Sequence, residues 1–179
     1  MAGFGQVPER TLLLVDGANL YATTGVMRAR IDFNKLLRVF KTESGCYLSG
    51  ARYYTAIDEL ATGEQPLRGL VEHLAYNGWT VVSKEAKSYV QADGRRKVKG
   101  NMDIEIACDM LKMAPHVDRL ILFTGDGDFA RAIRDVQELG RRVSVVSTMT
   151  TQPPMISNDL RKAADSFIEL AGMLPHISQ

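Results

Sequence analysis

The chain has few of the residues that build staples or soft-metal sites. Its 179 residues include two cysteines, Cys46 and Cys108, far apart and in no Cys-x-x-Cys pair. The three histidines, His73, His116 and His176, stand in no ligand spacing. A structural zinc or a disulfide framework is therefore excluded as the organising principle. Sparse cysteine also agrees with a reducing compartment. No apolar run approaches the 18 or so residues of a membrane span. Residues 1–10 carry neither a basic leader nor an apolar core, so they do not read as a secretory signal, and a cytoplasmic protein is expected. The formal net charge is only +1, so any attraction to nucleic acid has to be local. No Gly-x-Gly-x-x-Gly follows the first apolar run and no Walker lysine motif is present, which argues against a nucleotide-binding loop.

What remains is an ordinary globular composition, 45% hydrophobic and 24% charged, in a chain long enough to bury its own core. One domain over residues 1–179, with a core of about 11–170, is expected. Thr11 to Val15 reads as a buried parallel strand. Asp32 caps a helix whose stripe is Phe33, Leu36, Leu37 and Phe40. Ala51 to Ile57 reads as a second strand. Pro66 opens a helix with Leu67, Leu70, Val71 and Leu74, closed by Gly78, and Trp79 to Ser83 is a third strand. Asn101 can cap a helix with Ile104, Ala107, Cys108 and Leu111 on its buried face, while Met102, Met110 and Met113 read as packing residues; Pro115 ends the helix. Leu120 to Phe123 is a fourth strand, Phe129 to Leu139 a helix stopped by Gly140, and Val143 to Val146 a fifth strand. Residues 148–154 read as a loop, Ser157 to Ala164 as a short helix, and Phe167 to Leu170 as a last strand or a tight turn. Strands alternating with helices imply a parallel three-layer α/β fold with right-handed crossovers.

Two of these strands run out into carboxylates. Leu12-Leu13-Leu14-Val15 is followed by Asp16-Gly17-Ala18-Asn19, and Leu120-Ile121-Leu122-Phe123 by Thr124-Gly125-Asp126-Gly127-Asp128. In an open α/β sheet, ligands bind beyond the carboxyl ends of the strands. Carboxylates gathered there repel one another unless a cation lies among them. Asp103, in the first turn of the helix after Lys99-Gly100, is a fourth candidate, although a helix N-terminus favours an acid for its own sake. Asp109 lies about 240° round that helix from Asp103 and is a second-tier choice beside a plain salt-bridged acid. Glu105 is weaker. All-oxygen donors suit Mg²⁺ or Mn²⁺, and such ions serve phosphodiester cleavage. Asn19 and Thr124 are candidates to orient a water or hold a phosphate oxygen.

Residues 84–99 hold six basic residues against two acidic ones, with Asp93-Gly94 as a hairpin signal between residues 88–90 and 96–98. Arg95, Arg96 and Lys97 can grip phosphate, and Tyr89 can stack on a base; a merely solvated hairpin is the other reading. Arg28 and Arg30, read as lying in the loop after the first strand, would share the acidic rim. His73 and His116 are given no catalytic role.

The stretches LLLVDGANLY, KGNMDIEIACDM and LFTGDGDFARAIRDVQELGRRVSVVS, followed by LRKAADSFIEL, resemble the NYN domain family in its LabA-like (DUF88) branch. The resemblance spans about residues 11–170. It implies a PIN-like (Rossmann-like) α/β/α fold with a central parallel sheet in the order 3-2-1-4-5. It also implies a metal-dependent ribonuclease ancestry, with Asp16, Asn19, Lys99, Asp103, Asp126 and Asp128 at the family's functional positions. Thr124 stands where serine is common in that family, and Met102 where a β-branched residue is common.

The expectation is a Mg²⁺- or Mn²⁺-dependent ribonuclease acting on single-stranded RNA, with Asp16, Asp103, Asp126 and Asp128 as metal-holding, catalytic residues. RNA is the expected partner, a membrane is not, and a homo-oligomer is left open. The alternative is a non-catalytic RNA- or protein-binding module that keeps an acidic metal pocket. A haloacid-dehalogenase-type phosphotransferase carries little weight, because Asp16 is followed by Gly17 and Ala18 rather than by an acid two residues on.

Overall fold

The computed structural model describes residues 7–43, 45–57, 66–90 and 96–179, with backbone only for residues 66, 87–90 and 96–99. The expected hairpin turn Asp93-Gly94 and Arg95 lie outside these residues. The strands are β1 (Glu9–Asp16), β2 (Cys46–Ile57), β3 (Thr80–Glu85), β4 (Lys87–Val90), β5 (Arg96–Lys99), β6 (Arg119–Phe123), β7 (Arg142–Ser147) and β8 (Ser166–Glu169). The helices are α1 (Gly17–Val26), α2 (Phe33–Thr42), α3 (Pro66–Tyr76), α4 (Asp103–Met113), α5 (Ala130–Glu138), α6 (Asn158–Ala163) and α7 (Leu170–Ile177).

Six strands form one parallel sheet in the order β3-β2-β1-β6-β7-β8. Counting only these strands along the chain, the order is 3-2-1-4-5-6: the expected arrangement plus β8 at the edge. Residues 166–169 are thus a strand and not a turn. The sheet separates two cores. Leu12, Leu14, Leu120, Leu122, Val143 and Val145 face α4, α5 and α6 through Ile106, Met110, Ile133, Val136 and Leu160. Leu13, Val15, Ile121, Phe123 and Val146 face the other layer through Leu20, Leu36, Leu37, Phe40, Leu74 and Ile177. Both faces of β1 and β6 are covered, which is why those strands read as unbroken apolar runs instead of alternating ones.

Local signals are obeyed where they are strong. Asp32 caps α2, accepting from the main-chain nitrogens of Asn34 and Lys35, both at 2.9 Å. Gly78 and Gly140 take positive φ just past α3 and α5, the backbone conformation that suits glycine at helix ends.

Three expectations are corrected. First, α4 is rotated: Ile106 and Met110 are buried, whereas Ile104 is 74% exposed and Leu111 40%. The methionine stripe packs inward, and the stripe through Ile104, Cys108 and Leu111 does not. Second, residues 17–26 are helical, so Arg28 and Arg30 lie beyond about 15 Å of helix from Asp16 and do not flank it. Third, the expected core ends near residue 170, but the chain continues into α7, which packs on α2, with the Asp32 amide donating to the Ile177 carbonyl at 2.7 Å. The backbone of β4 and β5 forms an antiparallel pair, with Ser88 opposite Val98 and Tyr89 opposite Lys97, in agreement with the expected hairpin. Among the described residues no helix is long and apolar enough to cross a membrane.

Candidate metal centre

β1 and β6 are neighbours, with Val15 paired to Phe123. Asp16 and Thr124, the next residues along each strand, therefore emerge side by side at the carboxyl edge of the sheet. The Thr124 hydroxyl donates to Asp16 Oδ2 at 3.2 Å, and the Asn19 amide donates to Asp16 Oδ1 at 3.1 Å. Asn19 Oδ1 in turn accepts from the Gly125 amide at 2.9 Å. Asn19 and Thr124 thus cross-brace the two acidic turns.

Beyond the brace the β6 chain turns tightly. The Asp126 amide donates to Thr124 Oγ1 at 3.3 Å, and the Asp128 amide to Asp126 Oδ1 at 3.0 Å. This Asx turn leads into a single 3₁₀ turn, Gly127–Phe129. The third acid arrives from the far side. Asn101 Oδ1 accepts from the Asp103 main-chain amide at 2.7 Å, and Asn101 Nδ2 donates to Asp103 Oδ2 at 2.5 Å. Asn101 therefore secures the start of α4, although Met102 occupies the cap position itself.

Asp103, Asp126 and Asp128 each offer a carboxylate oxygen within 4.8 Å of the others. Asp16 sits just behind this trio, 8% exposed, with its oxygens engaged by Asn19 and Thr124. Burial pushes the Asp16 carboxyl up from its ordinary range, and the charges of Asp103 and Asp126 push the same way against the two hydrogen bonds. Burial likewise raises Asp103, reinforced by Asp126 and Asp128 and opposed by the Asn101 hydrogen bond and Lys84. Negative charge is therefore costly here, and a cation among the acids relieves the cost. The three donors are hard carboxylate oxygens, a set that could hold a hard cation.

Asp109 is not part of this group. It pairs with Arg52 at 2.5 Å and accepts from the Tyr54 hydroxyl at 2.8 Å, so it acts as a structural anchor between α4 and β2. Glu105 is also engaged elsewhere, with Lys84 at 2.9 Å. Lys84, expected as the first residue of the basic segment, sits instead on β3 of the main sheet, where it holds Glu105 and tempers Asp103. Lys99, Arg96 and Lys97 lie on β5, which leads directly into the acidic start of α4; only their backbone is described.

The NYN domain model matches residues 10–171. The low amplitude and bright protein LabA of Synechococcus elongatus is 32% identical over 165 residues, 91% of this chain and 84% of that protein. An uncharacterised protein of Methanocaldococcus jannaschii is 26% identical over 90% of this chain, which spans 55% of its length. A crystal structure of a Vibrio parahaemolyticus protein of unknown function superposes with a TM-score of 0.72 at 28% identity, covering 93% of this chain and 95% of that one. Since the match runs through the segments that carry Asp16, Asp103, Asp126 and Asp128, the chain belongs to the NYN domain family, a family of PIN-like nucleases.

Proposed function

We propose that this protein is a Mg²⁺- or Mn²⁺-dependent ribonuclease acting on single-stranded RNA. The observation that carries the reading is the approach of Asp103, Asp126 and Asp128 to within 4.8 Å at the carboxyl edge of a parallel sheet. These three residues would hold the ion, with Asp16 behind them. When bound, such an ion supplies Lewis acidity, neutralising phosphate charge and making water easier to ionise. The chain's own residues do the rest. Asn101 and the Asx turn at Asp126 hold the carboxylates in place before any ligand arrives. The Asn19–Gly125 and Thr124–Asp16 bonds keep the two turns in register, so that little reorganisation accompanies binding. The lysines and arginine of β5 supply the positive charge that draws a phosphate backbone towards an otherwise acidic edge. Among the described residues there is no module for reading a duplex, which favours a single strand.

Purified protein is expected to cleave labelled single-stranded RNA with Mn²⁺ or Mg²⁺ and not in EDTA. RNA binding that survives EDTA, with no turnover at any metal concentration, would assign the chain a binding role instead. Metal should also stabilise the fold without RNA. At a Mn²⁺ concentration about 100 times its Kd, linkage gives about 2.7 kcal/mol. For a chain of this size that is a rise in Tm of roughly 5–10 °C, readable by differential scanning fluorimetry.

A further inference from the structure

Beside the acidic turns, on the same edge of the sheet, lies a cavity of about 490 Å³. That is within the range of small-molecule sites. Among the described residues its walls include Tyr21 of α1, Tyr53 and Thr55 of β2, and Leu70 of α3. Gly17 and Gly100 also line it, and they fix where it lies. A Cβ on Gly17 would stand 2.6 Å from the Tyr53 ring and hydroxyl; one on Gly100 would stand 2.1 Å from Ala56 Cβ. The bare backbone at these two points lets the start of α1 and the approach to α4 press directly against β2. Gly17 follows Asp16 in the chain. Gly100 precedes Asp103 by three residues, at most about 11 Å of backbone. The cavity and the carboxylates are therefore neighbours by covalent connection.

Its lining selects a flat, uncharged aromatic with polar edges. Tyr53 is 4% exposed and held edge-to-face against Phe33 at 5.4 Å, so its ring is a fixed wall. Tyr21 is 81% exposed at the mouth and free to close over a ring. Thr55 and the two tyrosines are the polar side chains of a lining that is otherwise apolar among the described residues. The acids next door disfavour a ligand that carries its own negative charge inside the cavity. A nucleotide meets all of these conditions, with its base in the cavity and its phosphate outside it.

We propose that this cavity receives one unstacked nucleobase of the RNA strand, the base next to the phosphate at Asp103, Asp126 and Asp128. The proposal rests on the ribonuclease reading and extends it: the strand is anchored by a base as well as by its phosphates. Unstacked bases are available in single strands and not in duplexes, and stacking on tyrosine tolerates sequence variation.

The test uses uncharged nucleosides, which bind without help from the metal site. Adenosine, guanosine, cytidine and uridine are titrated separately into the metal-free full chain and followed by amide NMR. Saturable shifts at Thr55, Ala56, Leu70 and Gly100 with at least one nucleoside are expected. Leu70→Trp, which puts a bulky ring into the space, should weaken that binding at least tenfold, with Mn²⁺ binding kept. Tyr21→Ala, at an exposed position that does not threaten the fold, should weaken it several-fold. Asp126→Asn should leave nucleoside binding unchanged, which separates this site from the metal centre. Nucleoside binding together with absent RNA cleavage would overturn the ribonuclease reading and leave the pocket. No shift at these amides up to the solubility limit, or equal affinity in wild type and both pocket variants, would overturn the pocket.

Discussion

Asp126→Asn is expected to lower metal-dependent RNA cleavage by at least about a hundredfold. Loss of a partner one shell removed from a metal typically costs 10–100-fold, so loss of a direct ligand should exceed that. Asparagine keeps the shape of the side chain and an oxygen that can still accept from the Asp128 amide, so the turn survives. The stability change separates this site from a structural one. Without metal, the variant removes one of three clustered like charges. It should be as stable as wild type or more stable, by about 0.5 kcal/mol, as is common when a strained functional group is relaxed. Asp109→Asn is the opposite control. It removes the charge that pairs with the Arg52 guanidinium and weakens the hydrogen bond from the Tyr54 hydroxyl, so stability should fall by about 1–3 kcal/mol with Mn²⁺ binding kept. Urea titration and Mn²⁺ calorimetry on both variants check the pair. Wild-type cleavage by Asp126→Asn would point to a contaminating nuclease.

The largest stability effect is expected at Gly125. A Cβ there would lie 1.6 Å from the Met155 carbonyl oxygen and 2.7 Å from its carbon. Both are backbone atoms and cannot swing aside like a side chain. The loop that carries them is itself fastened: Ser147 Oγ donates to the Met155 oxygen, the Met155 amide to Thr148, and the Ser157 amide to the Gly125 oxygen. Gly125→Ala must move one of two anchored main chains, at a cost of roughly 3–5 kcal/mol. The same displacement shifts Asp126, so Mn²⁺ affinity should fall with stability. Gly25→Ala is the contrast: nothing lies within 4 Å of its Cβ position, on a helix. It should be neutral or stabilising, by up to about 1 kcal/mol. Equal midpoints for the two variants in urea would refute the steric argument.

These features were unequally legible in the sequence. β1 and β6 announced themselves because strands covered on both faces are continuously apolar, and each ended in Asp-Gly chemistry that could be placed at a sheet edge. The facing of α4 was not legible from periodicity, since residues 104, 108 and 111 repeat as well as 106, 110 and 113. The acids decide it. Asp103, Ile106 and Met110 share one face, so a helix that turns Asp103 towards Asp126 buries Ile106 and Met110 and exposes Ile104. Helix α7 was hidden by Gly172 and Pro175, both poor helix residues, and is secured by contacts from the distant Asp32 and Lys35. The cavity beside the acidic turns left no sequence signal, because it arises where glycine backbones meet a strand far away in the chain.

The brace between Asn19 and Gly125 also governs when the site can exist. Its two ends are 106 positions apart, and the loop that walls Gly125 follows later still, through Met155 and Ser157. A growing polypeptide that has released only β1 to α4 already carries Asp16 and Asp103, yet it has nothing to hold them against. The carboxylate trio comes together only after most of the chain has been made. Assembly of the acidic cluster thus waits for β6 and the turn after it, and a polypeptide that stops short of them carries some of the acids without the cluster.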